Sequence, residues 1–358
     1  MISHIRNGHS LVSTWRAKKA EPSTRTRTPG QYTDDCLIRQ HLIPFIGQSD
    51  QLASCFSIQD LSSVNMEGET RRFGTDIADA VPSTFANLQE ARESLCSLRD
   101  SVIALARFTS GPKYDGSWRF ADIADIYRAQ GQVRAWKAAY DTLTRRIQST
   151  LDNGSKQTAM HSMLLVHYHC VYIWSVTAAT PEQLEFDKWF SSFQILVELT
   201  QSIINTTTGK GHANSGIITE LIPQLVFTAM LCRDPQIRRQ AIALLRRCVE
   251  CGPSLTTPVP SLISTAERWI SLEESSIPAP PIPSSSFNLA TPAINPLLLD
   301  DAEDTIKRLP SEHARIHFSR TLSRDGDSDL SIRTVEFYSK PWGSYEPWFV
   351  QREEIRVP

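Results

Sequence analysis

Between Phe85 and Glu274 the apolar residues of this 358-residue chain recur at spacings of three and four. That period fits one face of an α-helix and excludes strands, whose side chains alternate with a period of two. Leu88, Ala91, Leu95, Leu98, Val102 and Leu105 mark a first helix, with Gly111-Pro112 as its expected stop. Val133, Trp136, Tyr140, Leu143, Ile147 and Leu151 mark a second, closing at Asn153-Gly154. A third, from about Met160 to Ala178, is apolar on almost every side and is expected at the centre of the core; Thr180-Pro181 ends it. Phe186, Phe190, Phe193, Val197 and Ile204 trace a fourth, Ile217 to Cys232 a fifth, and Ser261 to Glu274 a further helix after Pro258 and Pro260. No fixed sequence period unites them. The expected fold is therefore mostly α, an irregular multi-helix array, with residues 51–274 as an all-α domain.

The stretch MLCRDPQIRRQAIALLRRC, Met230 to Cys248, is the sharpest local signal. Asp234 is a good helix N-cap, and Pro235 suits the first helical position, where a missing N–H costs nothing. Arg233, Asp234 and Pro235 thus predict a tight structural corner between two helices. Behind it Ile237, Ala241, Leu244, Leu245 and Cys248 form one buried stripe, and Arg238, Arg239, Arg246 and Arg247 fall outside it. Arg239 and Arg246 lie nearly on one line of the surface. These four arginines are read either as a solvated face paired with neighbouring acids or as a strip that meets a partner.

Residues 275–296 change character: Pro278, Pro280, Pro281, Pro283, Pro292 and Pro296 stand among serines, as in a linker. Beyond it, 297–358 is expected to form a short helix plus strands packing back on the helices. Arg315–Leu322, Ile332–Ser339 and Trp348–Arg356 alternate or carry aromatics, and Asp325-Gly326 is a turn signal between the first two. Three strands alone are barely stable, so a small C-terminal antiparallel β meander needs the helices beneath it. Leu297, Leu298 and Leu299 followed by Asp300 and Asp301 place an apolar block against an acidic one. That pattern suits either a segment that folds onto a partner or an acidic helix start.

Composition narrows the function classes. A formal net charge of −2 makes the whole molecule no polyanion-binding cation, so any nucleic-acid contact is local. Residues 1–50 are expected to be a disordered arm whose first thirty carry Arg6, Arg16, Lys18, Lys19, Arg25 and Arg27 against Glu21 alone. Such a start also has the composition of a mitochondrial transit peptide, or of a nuclear-import segment. The seven cysteines are odd in number and scattered, most of them inside apolar helical stretches, which suggests a reducing compartment and no disulfide framework. No apolar run approaches the roughly 20 residues needed to span a bilayer.

Chemistry-bearing motifs are incomplete. Cys248 and Cys251 form one Cys-x-x-Cys pair without a second. His161, His167 and His169 sit at offsets that scatter them around a helix, so they read as core or edge histidines. Gly209-Lys210-Gly211 lacks the earlier glycine and following hydroxyl of a phosphate loop, and no Gly-x-Ser-x-Gly elbow exists. Glu273 and Glu274 read as ordinary surface charge at a helix end. The residues therefore propose no catalytic, cofactor-binding or metal-ligating set, and no cofactor.

CRDPQIRRQAIALLRRC, followed by an amphipathic helix ending in Leu272-Glu273-Glu274, resembles the C-terminal helical region of fungal binuclear zinc-cluster transcription factors. So does the order upstream: Phe85-Ala86-Asn87-Leu88-Gln89-Glu90-Ala91-Arg92 opening a helix, a Trp136-centred helix, a heavily apolar helix, then Gly216-Ile217-Ile218. The likeness covers roughly 56–355 and is sharpest over 213–274. Family members begin with a six-cysteine zinc module that reads DNA, and their helical region is regulatory and dimer- or partner-binding. This chain departs there, since Cys36 and Cys55 stand alone before Cys96 and supply no such module. The resemblance thus implies a nuclear transcription regulator without its own zinc-cluster DNA reader. It would act through protein contacts with the transcription machinery or a DNA-binding regulator, as a homo- or heterodimer, and without strong specific DNA binding or membrane association. A place in a secondary-metabolite gene cluster follows by the same analogy. The alternative is a non-regulatory helical scaffold in the cytoplasm; an enzyme is the weakest of the three.

Overall fold

A computed structural model describes residues 81–148, 155–207, 215–251, 259–276, 309–322 and 331–357. The basic arm, most of the proline-rich linker, the Gly209-Lys210-Gly211 loop, the Asp325-Gly326 turn and the Leu297–Asp301 segment lie outside those residues. Among the described residues are eight α-helices followed by a three-stranded antiparallel sheet. The helices are α1 Leu88–Phe108, α2 Ser110–Asp115, α3 Phe120–Gln148, α4 Ser155–Thr177, α5 Phe190–Thr207, α6 Ser215–Leu231, α7 Pro235–Cys251 and α8 Val259–Ser275. A 3-10 segment, Gln183–Trp189, precedes α5, and a 3-10 turn at Glu312–Ala314 precedes the strands. No described helix is long and apolar enough to cross a membrane.

The chain buries two apolar clusters, and α4 separates them. On one side Leu95, Val102, Val133 and Trp136 from α1 and α3 meet Leu164, Tyr168 and Val171 of α4. On the other side Met163, Val166, Cys170 and Ile173 of α4 meet α5 to α8 and the sheet. A helix packed on two faces must be apolar on both, which accounts for the near-continuous apolar run from Met160. Trp136 is fully buried and anchors the first cluster. It stacks on Tyr140 at 4.8 Å and on Tyr168 at 5.7 Å, and its indole N–H donates to the Ala91 carbonyl at 2.9 Å.

Helix starts follow capping chemistry. The Asn87 side chain accepts from the Glu90 N–H at 3.0 Å, and the Glu90 carboxylate accepts in return from the Ala86 N–H. At α3, Asp122 accepts from the Arg119 N–H at 3.1 Å and pairs with its guanidinium at 2.6 Å. That cap starts α3 more than three turns before Val133, the first residue of the predicted stripe. The added turns carry Phe120, Ile123 and Tyr127 into solvent. The predicted stop at Gly111-Pro112 is corrected. Helix α1 ends at Phe108, and the two residues fall inside α2, where proline near a helix start loses no hydrogen bond. The stop is Gly116, whose φ of 76° is left-handed and suits glycine.

The strands are β1 Ile316–Leu322, β2 Ile332–Ser339 and β3 Phe349–Arg356, in the order β1-β2-β3. Phe318 faces Tyr338 across β1 and β2, and Val335 faces Glu353 across β2 and β3. Ile316, Val335, Phe337 and Ile355 join the second apolar cluster, with Phe337 set edge-on to Trp269 of α8. The meander therefore completes the helical core, as a three-stranded sheet requires. Register shifts between Ile316 and Phe318, and the start of β1 is buried on both faces from Ile316 to Ser319.

Candidate functional site

The corner forms as its residues dictate. Helix α6 ends at Leu231 and α7 opens at Pro235, with Asp234 as N-cap: its carboxylate accepts from the Ile237 N–H at 2.8 Å. Ile237, Ala241, Leu244, Leu245 and Cys248 are buried, as the stripe requires.

Arg238 is not on the surface strip, and this corrects the sequence reading. It is fully buried, because Ile242 also points inward and the buried face of α7 is wider than a single stripe. Its Nε donates to the Ala229 carbonyl at 3.0 Å and its Nη1 to Glu273 Oε2 at 2.7 Å. Glu273 is likewise buried rather than a surface acid. Its Oε1 accepts from the Trp269 indole at 2.9 Å and from the Ile316 N–H at 2.8 Å, and lies 3.3 Å from Arg233 Nη2. Arg233 reaches further, donating to Gln183 Oε1 at 3.2 Å and to the Ile316 carbonyl at 3.1 Å. One carboxylate thus holds two guanidiniums, and burial pushes Arg233 down to about 10 despite its carboxylate partner. A neighbouring pair extends the knot: Arg315 binds Asp187 at 2.6 and 2.9 Å and donates to the Gln183 carbonyl at 3.2 Å. The arrangement ties α6, α7, α8, the 3-10 segment and β1 to one point.

The other arginines do face outward. Arg239 pairs with Glu274 at 2.6 Å and Arg246 pairs with Glu267, both across to α8, while Arg247 donates to Asn205 of α5 at 2.9 Å. Arg239 and Arg246 thus pair with neighbouring acids, while Arg247 meets a neutral amide.

The three histidines separate. His161 bonds the Tyr140 hydroxyl at 2.7 Å at the edge of the first cluster. His167 is buried between α1, α4 and α6, where burial pushes it down to about 3; the Gln224 side chain takes up its Nδ1 at 2.9 Å. It lines a crevice with Arg92, Cys96, Arg99 and Glu220 that has room for roughly one water. Desolvation pushes His169 down to about 4. Among the described residues no group of three histidines, cysteines or acids is placed to hold a metal ion. Cys248 lies in the core, and Cys251 is the last residue of α7.

A second polar cluster, which the sequence did not signal, sits where α2 meets the meander. Tyr114 bonds His317 Nδ1 at 3.1 Å, and Gln183 Nε2 approaches the same nitrogen at 3.3 Å. The Lys340 ammonium stands 4.2 Å above the Trp348 ring, and burial pushes Lys113 down to about 8. Its members come from four distant parts of the chain, so no local spacing announces them.

Several aromatic side chains face solvent. Phe120 is 88% exposed and Tyr127 is 67% exposed on α3, while Trp342 and Tyr345 are 63% and 65% exposed between β2 and β3. Phe120, Ile123 and Tyr127 follow the three-and-four spacing, so they form one stripe along the start of α3. No family model, curated protein or solved structure matches this chain.

Proposed function

We propose that this chain is a transcription regulator that acts in the nucleus through protein contacts made by its helical body. The single observation that carries the contact half of this reading is the exposed stripe of Phe120, Ile123 and Tyr127 on α3. Aromatic side chains offer large, rigid contact area and dominate the energetics of protein interfaces. Exposed apolar side chains aligned on one helix face offer such a contact surface. The transcriptional half rests on the CRDP corner and the helical order that resemble the zinc-cluster family. In that setting the partner is a DNA-bound regulator or part of the transcription machinery, and the genes of a secondary-metabolite cluster are the first targets to inspect.

The test is deletion of the chain's gene in its native host, with transcript profiling, beside localisation of a tagged copy. The expected result is a nuclear protein whose loss changes a coherent set of transcripts. Nuclear exclusion with an unchanged transcript profile contradicts the proposal and favours the alternative, a cytoplasmic helical scaffold, which the same exposed stripe supports. DNA binding by the purified chain should be weak, salt-dependent and indifferent to sequence.

A further inference from the structure

We propose that the β meander is an acid-releasable flap, and that His317 is its trigger. The argument starts from the hydrogen bonds around the ring. Gln183 Oε1 accepts from Arg233 at 3.2 Å, so the Gln183 amide nitrogen is the end that faces His317 Nδ1 at 3.3 Å. An amide nitrogen only donates. Nδ1 is therefore an acceptor, taking a hydrogen bond from Gln183 and from the Tyr114 hydroxyl at 3.1 Å. The ring is neutral with its proton on Nε2, and Nε2 is buried with no hydrogen-bond partner. The nearest acid is Glu312, whose Oε1 lies 3.8 Å away and whose oxygens each accept a backbone N–H, from Gln183 and from Leu184, at 2.8 Å.

Adding a proton there has consequences from every side. A protonated Nδ1 would point its N–H at the Gln183 amide, donor against donor. Burial, and after it the charges of Lys113 from α2, Arg233 from the α6–α7 corner, Lys340 from the end of β2 and Arg315 from the turn before β1, hold the imidazole well below its ordinary value, and the new charge would join those cations. Against these cations stand Glu312, Glu273 on Arg233, Asp187 on Arg315 and Glu346 near Lys340. The ring sits in β1 beside the Tyr114 and Trp348 rings, 5.6 and 5.5 Å away, so it can reach water only if the strand moves. A proton is accepted far more readily in the released strand than in the docked one. Acid therefore shifts the equilibrium towards release. Release would break the Ile316 contacts to Glu273 and Arg233 and uncover the apolar face of α8 around Trp269.

Hydrogen exchange of the full chain, corrected for the intrinsic pH dependence of exchange, tests this between pH 7.5 and 5. Peptides covering β2 should open about tenfold more for each pH unit below about 6.5, and at every pH should open more readily than α7 peptides, which open only with the whole fold. His317→Asn keeps an acceptor near the Nδ1 position and cannot titrate, so its β2 slope should be flat. Equal β2 protection at pH 7.5 and 5, β2 that opens no more readily than α7, or an unchanged slope in H317N overturns the proposal. Should H317N fail to fold, the wild-type comparison of β2 with α7 decides alone.

Discussion

Replacing Glu273 by glutamine changes one atom in size and one full charge, at the point where five elements meet. The side chains of Glu273, Arg233 and Arg238 are all fully shielded from water. With the carboxylate gone, two guanidiniums face each other in the interior, and the amide cannot accept at both ends as the carboxylate did. Breaking a buried pair by removing one partner costs about 3–5 kcal/mol, because the remaining charge stays desolvated. A domain of this kind has about 5–15 kcal/mol in total, so the loss is a large share of it. Urea unfolding followed by tryptophan emission should show the midpoint of E273Q falling with its slope unchanged. The double variant Arg238→Met with Glu273→Gln should recover part of the loss, since one of the two buried cations is removed with the acid. If E273Q unfolds within about 1 kcal/mol of the wild type, the knot is not what clamps the meander and helices, and the reasoning is wrong.

Asp234→Ala removes the cap of α7 and should cost about 1 kcal/mol by the same urea measurement, with Asp234→Ser close to neutral. Arg246→Ala removes only an exposed pair, so a stability change within about 0.5 kcal/mol is expected, against a large effect for the buried Arg238→Ala. His167 has a folded value near 3, below the roughly 6.5 of the unfolded chain, so the unfolded state binds the extra proton between those values. Its contribution is complete above pH 6.5 and falls away as pH drops. Thermal melts of His167→Gln should therefore lose less stability than wild type between pH 7 and 5, and equal losses would count against the assignment.

Much of the fold was legible because it depends on local spacing. The stripes of α1, α3 and α7, the two-sided burial of α4 and the three strands are all consequences of period and punctuation. The Asp234-Pro235 corner was legible for the same reason, since a cap and a proline act within one turn. Arg238 was not. Its charge argues for water and set it outside the stripe, although it stands three before Ala241, four before Ile242 and seven before Leu245, a spacing that also fits the buried face. Only the distant Glu273 resolves the conflict, and no local rule connects residues 35 positions apart. His317 escaped notice because a register shift at the start of β1 buries both faces there. The long N-terminal extension of α3 was missed because its outward residues are aromatic and its cap is a single acid, Asp122.

The central functional claim is that the aromatic stripe on α3 carries the chain's working contacts. In cells lacking the native gene, the chain should be restored either unchanged or with Phe120→Asp and Tyr127→Asp together. Both side chains are mostly in water already, so the purified variant should unfold at the wild-type midpoint. The account predicts that the variant, though folded and nuclear, leaves the transcript profile as in the deletion. A variant that restores the wild-type profile in full contradicts it.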